Sequence, residues 1–401
     1  MPAKRLQGLT ESLIREMTRL ALAHNAINLS QGFPDFPTPA ELKQAAADAI
    51  LSDHNQYAIT WGQPQMRQAV ADKLNAWYDM GVDPEKHVTV CVGVTEAILA
   101  TMMSIVDPGD EVIIIEPFHE TFLPATLFAG GTPVYFPLHA PDFRLDADRL
   151  REVFTPRTRA IILNTPHNPT GRVFTREEMQ GVADLCQEFD VIAVTDEIYE
   201  HIIYDGRQHI PLATLPGMKE RTVTCGGLSK TYAITGWRLA YTIAEPSISN
   251  AIRTVHDFTT ICAPTPLQEG AVTALRFPRS YYDRLQADYH ARRARMMAML
   301  DDLGFQAAPP EGAYYVMADF TGLGFPTDDD LVFARWLTTE VGVAVVPGSS
   351  FYRTPGMGRG MVRFAFPKKL ETLDAAHARL SAGLAKLKTG DAKVTLPGFQ
   401  E

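Results

Sequence analysis

Short, almost wholly apolar runs rich in β-branched residues recur through the first two thirds of the chain, at Val88–Val92, Glu111–Ile115, Val134–Phe136, Ala160–Asn164, Val191–Thr195, Thr222–Cys225 and Leu239–Ile243. Between most of them, apolar residues return every three or four positions. Strands that are apolar on both faces belong in a buried, largely parallel sheet, and the intervening period supplies its covering helices. Helices are predicted at Thr95–Ile105, after a glycine; at Thr175–Phe189, where Thr175 and Glu178 have capping-box spacing; and at the charged stretch Arg279–Leu303.

After residue 303 the pattern changes. Ala313–Phe320, Val343–Val346 and Met361–Phe366 read as a smaller sheet flanked by helices at Thr327–Val341 and Leu370–Leu387, and the N-terminal helix Glu11–His24 is expected to join it. The expected division is an N-terminal arm and helix at 1–45, a large α/β domain at 46–278 and a small α+β domain at 279–401.

Composition narrows the function classes. A chain of 401 residues exceeds one ordinary hydrophobic core, which agrees with two domains. With 46% apolar and 21% charged residues and no long uninterrupted apolar run, a membrane-spanning protein is not expected. The net charge of −10 repels nucleic acid and anionic membranes, so any bound anion needs a local site. The N-terminus lacks a signal-peptide core, and cytoplasmic residence is expected. Cys91, Cys186, Cys225 and Cys262 form no CxxC pair and read as free thiols rather than metal or redox centres. Zinc-protease, serine-hydrolase and P-loop signatures are missing from the sequence.

Such a local anion site is legible around Lys230. The stretch from Gly226 to Ala240 leaves a strand and puts Lys230 in a turn at the strand's C-terminal end, where open α/β sheets gather ligands. A lysine alone is usually a solvated charge. Nearby, Arg238 offers a bidentate cation for a phosphate, Ser229 and Thr231 offer hydroxyls, and the turn Gly93, Val94, Thr95 points unpaired helix N–H groups at whatever lies beyond the strand. Taken singly, that turn is equally well an ordinary strand-to-helix connection.

Asp196 stands just past an apolar strand, where an unpaired carboxylate is costly; it is either a helix N-cap or the partner of a buried cation such as a protonated pyridine, with Tyr199 able to reach the same ring. Asn168 lies in a proline-stiffened loop, Asn164 to Gly171, suited to fixing one hydrogen bond to a ligand oxygen. Arg363 sits inside an apolar strand, and its fork fits either a substrate carboxylate or a structural ion pair.

Together, Asn164–Gly171 (NTPHNPTG), Thr195–His201 (TDEIYEH), Ser229–Arg238 (SKTYAITGWR) and Val362–Phe366 (VRFAF), in this order, resemble the class I/II aminotransferases of pyridoxal-phosphate (PLP) fold type I. The resemblance extends to LSQGFPDF at Leu29–Phe36 and covers nearly the whole chain, leaning to the kynurenine, glutamine and methionine transaminase branch. It implies a three-layer αβα domain with a mainly parallel seven-stranded sheet and a smaller α+β domain. It also implies PLP held by Lys230 as a Schiff base, Asp196 at the pyridinium nitrogen, and Tyr199 and Asn168 at the phenolic oxygen. Ser229, Arg238, the Gly93–Val94–Thr95 turn and Tyr57 of a second subunit would take the phosphate, and Arg363, Asn168 and Gly32 the substrate carboxylate. A homodimer with shared active sites is implied, acting on small-molecule substrates, an amino acid and a 2-oxo acid.

The chain departs from the family's pattern at three places. Gly227 stands where relatives carry a phosphate-binding serine, with Ser229 or Thr231 as substitutes; the ring-stacking position falls to His119 or Phe118, His119 being preferred; and Ile14, Ile261 and Cys262 replace aromatic and histidine residues of kynurenine-type relatives. An arginine for a side-chain carboxylate has no clear match, Arg15 and His256 being the nearest candidates. The expected reaction is ping-pong transfer of the amino group of a glutamine-, methionine- or aromatic-type donor to a 2-oxo acid. The alternatives are an aspartate-type enzyme or a cysteine-conjugate β-lyase on the same scaffold. A PLP-sensing transcriptional regulator would need a basic DNA-binding module, for which the sequence has no candidate.

Overall fold

The structure is a computed structural model that describes Leu6, Leu9, residues 11–390 and Val394. Its strands in chain order are β1 (Ile27–Asn28), β2 (Val88–Cys91), β3 (Glu111–Glu116), β4 (Thr132–Pro137), β5 (Thr158–Asn164), β6 (Ile192–Asp196), β7 (Thr222–Gly227), β8 (Ala240–Ile243), β9 (Gln306–Ala307), β10 (Tyr315–Asp319), β11 (Val343–Ala344), β12 (Val346–Pro347) and β13 (Met361–Ala365). The seven apolar runs of the sequence all enter one sheet, ordered β2-β8-β7-β6-β5-β3-β4. Only β8 runs against its neighbours.

The alternation of side chains explains why these strands read as apolar throughout. Val112 and Ile114 of β3 pack with Ile98 and Met102 on one face of the sheet, while Ile113 and Ile115 pack with Met179 and Val182 on the other. The sheet is therefore the middle of three layers. Its helices include Gly93–Ile105 on one side and Arg176–Glu188 on the other, the latter opened by the Thr175–Glu178 capping box. The long helix Arg279–Leu303 follows the sequence boundaries and ends at Gly304 in the left-handed conformation.

Two small sheets complete the fold: an antiparallel one ordered β12-β13-β10-β9, and the parallel pair β1-β11. The expected strand Val343–Val346 is split. Val343–Ala344 pairs with Ile27–Asn28, whereas Val346–Pro347 pairs with Val362 and Arg363, so the chain changes sheets at Val345. A continuous apolar tetrapeptide carries no signal for such a switch, because the choice between the two partner strands is made by tertiary packing. The helix expected over Thr327–Val341 starts later, at Asp330, capped by Asp329, and widens into a π-turn over Leu337–Val341. The first helix is Leu13–Ala23, capped by Ser12, and packs against β11.

Candidate active site

The parallel strands deliver the chemistry to one edge of the sheet. Asn164 and Asp196, the last residues of β5 and β6, are in register; β7 ends at Gly227, just before Ser229 and Lys230; β2 ends beside Gly93. Arg363 arrives from β13, opposite Met317. These elements enclose a cavity of about 500 Å³ lined by Gly32, Val94, Thr95, His119, Asn168, Asp196, Tyr199, Ser229, Lys230, Arg238 and Arg363. Residues scattered over more than three hundred positions thus meet in one place.

Lys230 donates from Nζ to the carbonyl of Gly32 at 3.2 Å, and the Tyr314 hydroxyl donates to the same oxygen at 2.8 Å. Burial lowers the Lys230 amine below its ordinary range, against the raising influence of Tyr315 and Asp196. Burial likewise raises the Asp196 carboxyl to about 7, while the Ile198 N–H and the Lys230 charge pull it down. The bond from Ile198 N–H to Oδ1 is 3.2 Å long, and turns rather than a helix follow, so Asp196 does not cap a helix. Tyr199 shares a 3.0 Å hydroxyl–hydroxyl hydrogen bond with Tyr315 and is held as a phenol, chiefly by burial.

Arg363 donates from Nη1 to Oδ1 of Asn168 at 2.8 Å and from Nη2 to the carbonyl of Ser30 at 2.5 Å. Its guanidinium lies over the rings of Tyr315 at 4.2 Å and Phe351 at 4.8 Å. Among the described residues it makes no ion pair, so the structural ion pair weighed from the sequence is not present there; Glu120 acts on it only as a nearby charge. Nε has no hydrogen-bond partner among the described residues. A fully buried cation in this state calls for an anion.

At the opposite end, Gly93 has φ +78°, and a Cβ there would lie 2.2 Å from Nη2 of Arg238. Arg238, itself left-handed at φ 55°, is steadied by a 3.1 Å bond to the carbonyl of Thr235. No side chain caps the helix Gly93–Ile105, so its first N–H groups remain for a ligand. Ser229 lines the cavity; Thr231, the other candidate substitute, is buried outside the lining residues and its Oγ1 has no hydrogen bond. A side chain at Gly227 would press on Ile198 and Val94.

His119 faces the cavity and is bonded to Thr121, whereas Phe118 is buried and stacks on Tyr135 at 6.1 Å. Burial, with Lys230, Arg363 and Arg15 nearby, lowers the His119 imidazole to about 3, so its ring is neutral. Tyr57 is 80% exposed and lies apart from the cavity of its own chain. Ile14 and Arg15 line the cavity; Ile261, Cys262 and the fully buried His256 do not. The sequence reading missed Tyr315, which touches Tyr199 and Arg363.

The fold and this cavity define an enzyme of the PLP-dependent fold type I class, a transferase. Residues 24–380 match the family model "Aminotransferase class I and II", and the chain belongs to that family, whose members depend on PLP. It is 35% identical over 407 residues to kynurenine–oxoglutarate transaminase 3 of Homo sapiens, covering 95% of this chain and 90% of that protein. It is similar to the solved N-succinyldiaminopimelate aminotransferase of Mycobacterium tuberculosis, with TM-score 0.93, 37% identity and coverage of 95% and 100%. It is also similar to YbdL of Escherichia coli, described with a methionine aminotransferase function, with TM-score 0.91, 34% identity and coverage of 95% and 99%.

Proposed function

We propose that the chain transfers the amino group of an L-amino acid of glutamine, methionine or aromatic type to a 2-oxo acid. The observation that carries this reading is the convergence of Lys230, Asp196 and Arg363 on one cavity of about 500 Å³. The donor set fits PLP: a primary amine, a buried carboxyl in need of a cation, and the Arg238 guanidinium held so close to the Gly93 turn at the cavity wall that a Cβ there would collide with it. Lys230 would hold the cofactor covalently, Asp196 would pair with its ring nitrogen, and Tyr199 and Asn168 would donate to its phenolic oxygen. His119 would lie against the ring. Arg238, Ser229 and the first N–H groups after Gly93 would take the phosphate. Bound there, PLP supplies an electron sink for the bonding pair at the substrate Cα.

The chain's own groups supply the rest. Arg363, with Asn168 and the Gly32 segment, fixes the substrate carboxylate, so the Cα proton is presented to Lys230. Burial lowers the Lys230 amine, which favours the neutral form able to accept that proton. Stacking of Arg363 between Tyr315 and Phe351 keeps its fork from swinging out of register.

A cytoplasmic homodimer with shared sites belongs to this reading. Tyr57, Ile59, Phe258 and Ile261 are exposed on two segments joined by the bond from Thr265 Oγ1 to the Gln56 carbonyl, an apolar surface suited to a second copy. Arg15 supports the second, aspartate-type reading: it lines the cavity and makes no ion pair among the described residues.

The test is a half-reaction. Holoenzyme mixed with each amino acid, without acceptor, should release up to one equivalent of 2-oxo acid per site, and the rates rank the donors. Repeated turnover of a cysteine conjugate to pyruvate and ammonia would indicate the lyase instead. Failure of every amino acid to yield an oxo acid would overturn the reading.

A further inference from the structure

His256 lies outside the cavity, fully buried in the helix Pro246–Thr259, and both of its ring nitrogens are engaged. Nε2 is 2.9 Å from the carbonyl of Thr60, which can only accept, so that nitrogen carries a hydrogen. Nδ1 is 3.0 Å from Oε1 of Glu96. With the Nε2 hydrogen directed at Thr60, a hydrogen bond between Nδ1 and Oε1 requires one proton between them. The Thr260 hydroxyl lies 2.8 Å from Nδ1 and 3.1 Å from the His256 carbonyl, and can direct its hydrogen to either.

The other oxygen of Glu96 accepts the N–H of Val92 at 2.9 Å. Val92 immediately precedes the Gly93–Val94–Thr95 turn, and Glu96 lies in the first turn of the same helix. A bare carboxylate there would oppose a bound phosphate, because both anions would compete for the positive end of the helix. A proton shared with His256 would offset that charge while the carboxylate still anchors the turn. Through Thr60, the same imidazole holds the loop that displays Tyr57.

We infer that His256 is a positioning residue for the cofactor phosphate, clamping the Val92–Thr95 turn through Glu96 and the Tyr57 loop through Thr60. This rests on the reading of that turn as the phosphate site. It gives a buried histidine that touches neither substrate nor cofactor a role specific to one end of the ligand.

The experiment compares apo-protein affinity for PLP with that for pyridoxal, which lacks the phosphate, in wild type, His256→Leu and the double variant Glu96→Gln/His256→Leu. His256→Leu should weaken PLP about tenfold or more, the size of a charge effect at a partly buried helix terminus, and leave pyridoxal within about twofold. The double variant should regain part of the loss, since the uncompensated carboxylate is gone. Should His256→Leu give no folded apo-protein, His256→Gln, which keeps one donor, is measured in its place. Equal losses for PLP and pyridoxal, or no loss for either, would overturn the inference. Equal affinity of the wild type for both ligands would instead overturn the phosphate reading beneath it.

Discussion

Arg363 and Asn168 are joined by a 2.8 Å hydrogen bond from Nη1 to Oδ1, across 195 positions of sequence. The bond links the small antiparallel sheet to the loop after β5. It also orients the Asn168 amide, because an oxygen accepting from Arg363 leaves the NH₂ group to donate elsewhere.

Replacing Arg363 with lysine keeps the charge and loses the fork, its stacking on Tyr315 and Phe351, and one of its two anchoring bonds. The expected result is a fall in kcat/KM of roughly 10- to 100-fold, corresponding to about 1.5–3 kcal/mol for a charged hydrogen bond. Steady-state kinetics with several donors checks this. The loss should be similar for all of them, because the α-carboxylate is common to every amino acid.

Gly93→Ala tests the close approach of Arg238 to this turn. An alanine at φ +78° carries about 1–2 kcal/mol of backbone strain, and its Cβ would displace the guanidinium 2.2 Å away. PLP affinity should drop about tenfold or more, measured by titrating apo-protein. Unchanged affinity would show that this turn takes no part in cofactor binding.

Asp196→Asn has a pH-dependent signature. The folded apo-protein holds the Asp196 proton up to about pH 7, whereas an unfolded chain releases it near the ordinary 3.8. Burial of this carboxylate therefore weakens the apo-protein progressively between pH 4 and 7, and the full penalty, on the order of a few kcal/mol, stands above pH 7. The asparagine variant should match wild-type apo-protein in melting temperature near pH 4 and exceed it at pH 8, while transamination falls. Identical melting profiles at both pH values would contradict the assignment.

The sheet and most of the site were legible because their signals are local. A strand apolar on both faces announces burial, and a charged or turn-forming residue just past its end announces the ligand edge, as with Asp196, Asn168 and Lys230. Tyr315 was not legible. It opens the apolar strand β10 directly after another tyrosine, Tyr314, and only the pairing of β10 with β13 brings it against Arg363. The switch of sheets at Val345 escaped for the same reason, since partner choice is tertiary. The choice of His119 over Phe118 turned on which ring faces inward after the turn that follows β3, which two adjacent aromatic residues cannot reveal. The sequence pointed His256 only towards a substrate carboxylate and carried no signal for its actual partners, because Glu96 and Thr60 are 160 and 196 positions away.

The central claim is that Lys230 holds the cofactor. Borohydride reduction of the holoenzyme, followed by proteolysis and mass spectrometry, fixes the cofactor to whichever lysine carries it. The account predicts the pyridoxyl-phosphate mass on the peptide containing Lys230, its loss in Lys230→Ala, and a fall in transamination of about 10²- to 10⁴-fold in that variant. Labelling of another buried lysine, Lys73 or Lys368, or a Lys230→Ala protein that still fixes the cofactor, would contradict it.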